Sequence, residues 1–388
     1  MKYTKLKGLL LIALMAVSGL AGCLSSDDDD KDEEDETMDP TDPVVGMDAS
    51  DGGYTYASDV DNHRSLMKDL CDIKAAASSD GGYDFATAKD IYMNGKNAEK
   101  SDGSFRTLAG FASAEGKNHG YDAYYDAAGS VDAHITAAMD GTGDFAGTSD
   151  TVRYQGIAKL TVNMGMVAYT IHELNSAIAK ADSGNVDNDS GAPHNWDEGW
   201  AFFHGPDEDW SCSPAYVMKK RAADFGTETD GVSNALTASQ NAMIDGLAAL
   251  QAEDSEGYTA AANAVVKNVV ITYSQAVLKY TSKMDSNDSA AKYQVEGYAF
   301  WKAIEAYSAA HTNACIAADD NVTYVGNSDE TACAEGETFE GHYGANRINE
   351  ILDLQDASQL GTSYDVTAHL EHVWAHYGIT SDDIGTYE

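Results

Sequence analysis

Proline is scarce here, five in 388 residues, and basic residues are few, 24 Lys and Arg against 64 Asp and Glu. Few prolines, abundant alanine and little strand-like alternation leave a helical pattern dominant and predict an all-α, bundle-type fold. The shortage of positive charge gives a formal net charge of -40. Without Lys2, Lys5 and Lys7 the balance is nearer -43, 21 basic against 64 acidic residues. Such a field repels nucleic acid and anionic lipid, and neither is expected as a partner. Catalytic signatures are missing as well. There is no GxSxG, Walker A or GxGxxG, and His172-Glu173-Leu174-Asn175-Ser176 lacks the second histidine of a zincin. No CxxC occurs, which argues against a thiolate metal site. We assign no catalytic residue and expect binding in place of catalysis.

What the chain does have begins with a processing signal. A basic start precedes an apolar core, Gly8 to Val17, too short to span a bilayer stably, and Leu20-Ala21-Gly22-Cys23 fits a lipobox. Residues 1–22 are therefore expected to be a lipoprotein signal peptide, with Cys23 taking lipid. By resemblance to enterobacterial lipoproteins, Leu24 after the cysteine implies the outer membrane. Residues 23–53, with nine acids between Ser25 and Glu36 and prolines at 40 and 43, read as a solvated tether. The membrane contact expected is the lipid anchor alone. Four cysteines remain, an even number in an oxidising envelope, and we expect two disulfides. Cys315 and Cys333 bracket an acid-rich loop and favour a local bridge, which leaves Cys71 for Cys212.

Residues 54–388 read as one all-α region with two related halves, about 54–230 and 231–388. Helical runs are placed at Asp59 to Ala77, Phe85 to Asn94, Ala123 to Met139, Thr151 to Ala181, Trp196 to His204, Pro214 to Phe225, Val232 to Ala252, Tyr258 to Met284, Ala290 to His311, Phe339 to Leu354 and Tyr364 to Tyr377. The halves are suggested by a repeated order of residues: Glu198-Gly199-Trp200-Ala201-Phe202-Phe203 returns as Glu296-Gly297-Tyr298-Ala299-Phe300-Trp301, each after a tyrosine-bearing apolar helix. Trp196, Trp200 and Phe203 make one buried stripe that carries Asp197 and Glu198 inward. The Thr151 to Ala181 run carries Glu173, with His172 beside it, into an apolar interior. A lone carboxylate there is costly unless it is paired, protonated or metal-bound. Glu198, Glu296, Asp197, Glu173 and His172 are thus the candidate metal ligands. His369, His372 and His376, on one flank of the last helix, are a second candidate set; His194, His204 and His342 have weaker claims. The same acids could instead serve as hydrogen-bond acceptors for some of the 22 tyrosines.

The segments Ile91 to Asn97, Ser101 to Phe111, Asn195 to Phe202 and Glu296 to Trp301, in this order, resemble the algal Fea-type iron-assimilation proteins, also described as low-iron-inducible periplasmic proteins. The resemblance implies extracytoplasmic iron binding or delivery, with Asp197, Glu198 and Glu296 inside the matching motifs. A looser similarity is to imelysin-like envelope lipoproteins, whose GxHxxE motif is absent. The reading is a lipid-anchored cell-envelope protein that binds iron, manganese or another divalent cation and hands it to an envelope transporter. A partner-binding surface lipoprotein without metal, or an imelysin-like hydrolase, is the alternative.

Overall fold

The computed structural model describes residues 50–117, 119–312 and 343–388. Cys23, the acidic tether, the Cys315–Cys333 pair and His342 lie outside them. The described chain is predominantly a helical bundle with two small two-stranded hairpins, as the composition predicts. Hairpin β1 (Ser50–Asp51) and β2 (Tyr54–Thr55) leads into α1 (Asp61–Ala77) and α2 (Phe85–Asn94). Three shorter helices follow: α3 (Leu108–Ala112), α4 (His119–Tyr125) and α5 (Ser130–Asp140). A long run then comprises α6 (Asp150–Lys159), a π-helical segment (Leu160–Gly165) and α7 (Met166–Asp182). Next come α8 (Ala192–Phe203), α9 (Pro214–Phe225) and hairpin β3 (Glu228–Thr229) with β4 (Val232–Ser233). The remaining helices are α10 (Asn234–Gln251), α11 (Ser255–Ser282), α12 (Ala290–Ser308), α13 (Tyr343–Ile351), α14 (Thr367–Tyr377) and α15 (Ser381–Ile384).

The core lies among α7, α8, α11 and α12, where α7 packs along α8 and α11 along α12. Every residue of α8 is buried. A helix so enclosed has no solvent face on which to keep its acids, so Asp197 and Glu198 must find partners inside the protein. The glycine after each repeated glutamate explains how close the helix pairs come. A methyl group at Gly199 would stand 3.3 Å from the Leu174 side chain, and one at Gly297 would stand 2.8 Å from Leu352 and 3.4 Å from Tyr280 Cβ. Both helices therefore press their glycine against a neighbour while turning the preceding glutamate inward.

The π-helical segment interrupts the long run that the sequence reads as a single helix. All six of its residues are buried, so the apolar pattern there could not mark one face and conceals the change of register. Asn163 occupies it and uses both ends of its amide, donating to the Lys159 carbonyl at 2.7 Å and accepting from the Tyr273 hydroxyl at 3.0 Å. One disulfide, Cys71–Cys212, ties α1 to the turn before α9 across 141 residues of sequence. No helix of the described residues is long and apolar enough to cross a membrane.

Candidate functional site

Asp197 sets the frame. Its Oδ1 accepts from the Tyr54 hydroxyl at 2.5 Å, and its Oδ2 accepts from the Ala57 amide, the Ser58 amide and the Ser58 hydroxyl, each at 2.8 Å. Burial raises this carboxyl to about 6 even though the four donors pull it down. With its acceptor capacity filled, Asp197 fastens the N-terminal segment to α8. Asp51 does a similar job on the other side of the hairpin, taking Arg64 at 2.6 and 3.0 Å and the Tyr56 hydroxyl at 2.9 Å. The first turns of α1 are thereby held over α8.

That placement brings His63, from α1, onto Glu198. The Nε2 of His63 lies 2.9 Å from Glu198 Oε1, and the Nε2 of His194, one turn earlier on α8, lies 3.1 Å from the same oxygen. Glu173, from α7, stands beside them, and the Asn195 amide donates to Glu173 Oε2 at 2.7 Å and to Glu198 Oε2 at 3.3 Å. All five residues are at most 7 % exposed. Arg106 and Tyr169 close the remaining side, with Arg106 Nε donating to Asn62 Oδ1 at 2.9 Å. Phe111, Tyr169 and Phe202 stack as a wall, with ring centres 3.4 and 3.8 Å apart.

The electrostatics separate the two glutamates. Burial pushes the Glu173 carboxyl well up, and the charge of Glu198 adds to the effect. Burial would raise Glu198 as well, but the two imidazoles outweigh it and hold Glu198 well below the usual carboxylate range. One acid thus keeps its proton while its neighbour is ionised, the usual outcome for two carboxyls sharing a site. Burial also lowers His63, which favours the neutral ring.

The tautomer of His194 decides what the ring presents to Glu198. Ser58 has one hydroxyl proton, and its oxygen lies between Asp197 Oδ2 and His194 Nδ1, the latter at 2.9 Å. If that proton goes to the carboxylate, His194 Nδ1–H must donate to Ser58, and a neutral ring then turns its bare Nε2 lone pair toward Glu198 Oε1. Two lone pairs face each other across 3.1 Å unless a cation, either a proton or a metal ion, lies between them. His63 Nδ1 and Asn195 Oδ1 are also buried without a hydrogen-bond partner among the described residues.

The geometry regroups the residues picked from the sequence. Glu173 and Glu198 come together, Asp197 flanks them in a fastening role, and His63, Arg106 and His194 join them. His63 could have been found, because Leu66, Met67 and Leu70 follow it at helical spacing and put it on the buried face of α1. Glu296 stands elsewhere, in the company of Lys159 and Tyr280. His172 packs beside the aromatic wall, its ring centre 5.7 Å from that of Phe111. His369, His372 and His376 stay on α14, where His376 stacks on His311 at 3.6 Å. Among the described residues, no group of three or more His, Cys, Asp or Glu side chains is already arranged to hold a metal ion.

A family model described as low iron-inducible periplasmic protein matches residues 46–301. The match covers the whole Glu198 cluster and both copies of the repeated motif, and ends before α13 and α14. No curated protein and no solved structure matches.

Proposed function

The chain belongs to the low iron-inducible periplasmic protein family, and from that premise we propose that it captures iron, or a divalent cation of similar chemistry such as manganese, outside the cytoplasm for uptake. The observation that carries this reading is the pair of imidazole nitrogens set on one oxygen of Glu198. Donors at 2.0–2.2 Å from a metal in cis positions stand about 3 Å from each other, and the separations here are 2.9 and 3.1 Å. His63, His194 and Glu198 would bind the ion, and Glu173 would join by giving up its proton. Asn195 and the Ser58 contact to His194 would orient these ligands. Imidazole and carboxylate together suit iron, manganese or zinc better than copper(I). Arg106 and Tyr169 would keep the loaded site closed. The lipobox and acidic tether support retention of the protein at the envelope by a lipid on Cys23, with the outer membrane as the expected site and a transporter as the recipient of the metal.

The test is an anaerobic titration of the full chain with Fe(II) and Mn(II), repeated on Glu198→Gln and His63→Gln, with circular dichroism confirming each fold. One ion per chain, bound at least about tenfold more weakly by both folded variants, is expected. Unchanged affinity in both would remove the site.

A further inference from the structure

The second copy of the acid-glycine-aromatic motif has a different environment. Where Glu198 meets imidazoles, Glu296 meets cations: Lys159 at the end of α6 feels its charge, and the Tyr280 hydroxyl bonds to it. The Lys159 ammonium stands 6.0 Å from the centre of the Phe300 ring, and the Arg221 guanidinium stands 5.9 Å from the same ring and 5.5 Å from that of Tyr280. Arg221 Nη2 pairs with Asp224 at 2.6 Å, and Lys279 reaches the other oxygen of Asp224 at 2.7 Å. Lys74 and Lys220 lie within electrostatic reach of Lys159. Five cations, Lys74, Lys159, Lys220, Arg221 and Lys279, therefore crowd around two acids, Glu296 and Asp224, a local excess of three positive charges.

Such crowding is unexpected in a chain with 64 acids to pair with 24 bases. Like charges brought together raise one another's energy, and here a counter-ion was available almost anywhere else on the surface. Arg221 sharpens the point, since it is only 4 % exposed and its Nε and Nη1 are buried with no acceptor among the described residues. A buried guanidinium with two unused donors, on different edges of the group, can still give a charge-assisted hydrogen bond to an entering anion. Lys220 is exposed, and Lys74 and Lys159 are partly so.

We propose that Arg221, Lys159, Lys74 and Lys220 form a binding site for a small multivalent oxyanion, with inorganic phosphate as the type ligand, between α9 and the α6–α12 pair. Arg221 supplies the directional donors at the bottom of the site. Lys159 supplies a second charge-assisted bond, and the exposed lysines draw the anion in against the negative field of the rest of the molecule. Glu296 and Asp224 hold Lys159 and Arg221 in place. The site shares no residue with the Glu198 cluster and does not depend on the metal reading.

The experiment is calorimetric titration of the metal-free full chain with orthophosphate at low ionic strength, with sulfate as a second divalent ion and chloride at matched ionic strength as the control. Saturable binding of one phosphate per chain, unmatched by chloride, is expected. Lys159→Met should weaken it about tenfold, the loss of one charge-assisted hydrogen bond. Lys220→Ala, at an exposed position where folding is not at risk, should weaken it about threefold. Phosphate acting no differently from chloride, or a folded Lys220→Ala and a folded Lys159→Met both binding like the parent, would overturn the proposal.

Discussion

At the scale of single residues, the two acids that follow one another on α8 have different tasks. Asp197 accepts four hydrogen bonds from the N-terminal segment, whereas one oxygen of Glu198 faces the Nε2 atoms of two imidazoles, where a cation can enter. Asp197→Ala strands four buried donors and should cost about 3 kcal/mol or more. Asp197→Asn should cost much less, because the amide oxygen still accepts from residues 57 and 58 and the amide nitrogen can donate to the Tyr54 oxygen. Denaturant unfolding of the two variants checks the order, and metal affinity should persist in Asp197→Asn. Sequence alone identified both acids, and Glu173, as buried, since each sits in an apolar helical stripe. It could not tell which acid was already satisfied, because the donors to Asp197 come from about 140 residues away. The burial of His63 is readable from the helical spacing of Leu66, Met67 and Leu70, but its place over α8 is set by the β1–β2 hairpin contacts, which no local pattern records.

At the scale of elements, most helix positions were legible because the apolar periodicity is strong, but the run read as Ala123 to Met139 is broken between α4 and α5, and α3 lies where no helix was read. The π-helical segment was hidden by burial on all sides. The separation of Glu296 from Glu198 was hidden because the motif repeats while its surroundings do not: His194 on α8 corresponds to Lys292 on α12, and Glu173 on α7 to Val277 on α11. The contact of α10 with α8 depends on Gly246, over which the Trp196 indole lies while its Nε1 donates to the Met243 carbonyl at 2.8 Å. A methyl group there would come within 2.1 Å of a ring carbon of a fully buried tryptophan. Alanine is the better helix former by about 1 kcal/mol, yet displacing the ring should outweigh that gain. Gly246→Ala is expected to destabilise by about 2 kcal/mol net, readable as a lowered denaturation midpoint and a shifted tryptophan emission.

At the scale of the whole molecule, two features bear on a protein that works outside the cytoplasm. The charge of -40 keeps the chain soluble but strains the compact state by self-repulsion. The Cys71–Cys212 bond works in the opposite direction, closing a loop that spans most of the N-terminal half. In the chain-entropy picture its loss costs about 3–5 kcal/mol, so reduction should lower the thermal midpoint by several degrees at least. Melting curves with and without reductant check this. The bond also anchors the C-terminal part of α1 while the hairpin anchors its beginning, which fixes His63 against α8 from both ends. The overall charge was readable from composition, and the pairing of Cys71 with Cys212 followed once the other two cysteines were assigned to a local bridge.

The central claim is that a metal ion enters between Glu198 and the imidazoles of His63 and His194. X-ray absorption at the metal edge of the full chain loaded with one equivalent of Fe(II) tests it most directly, because imidazole rings leave a distinct multiple-scattering signature. The account predicts two imidazole nitrogens with oxygen donors completing the shell, falling to one imidazole in His63→Gln. An oxygen-only shell, or an imidazole count unchanged in that variant, would contradict it.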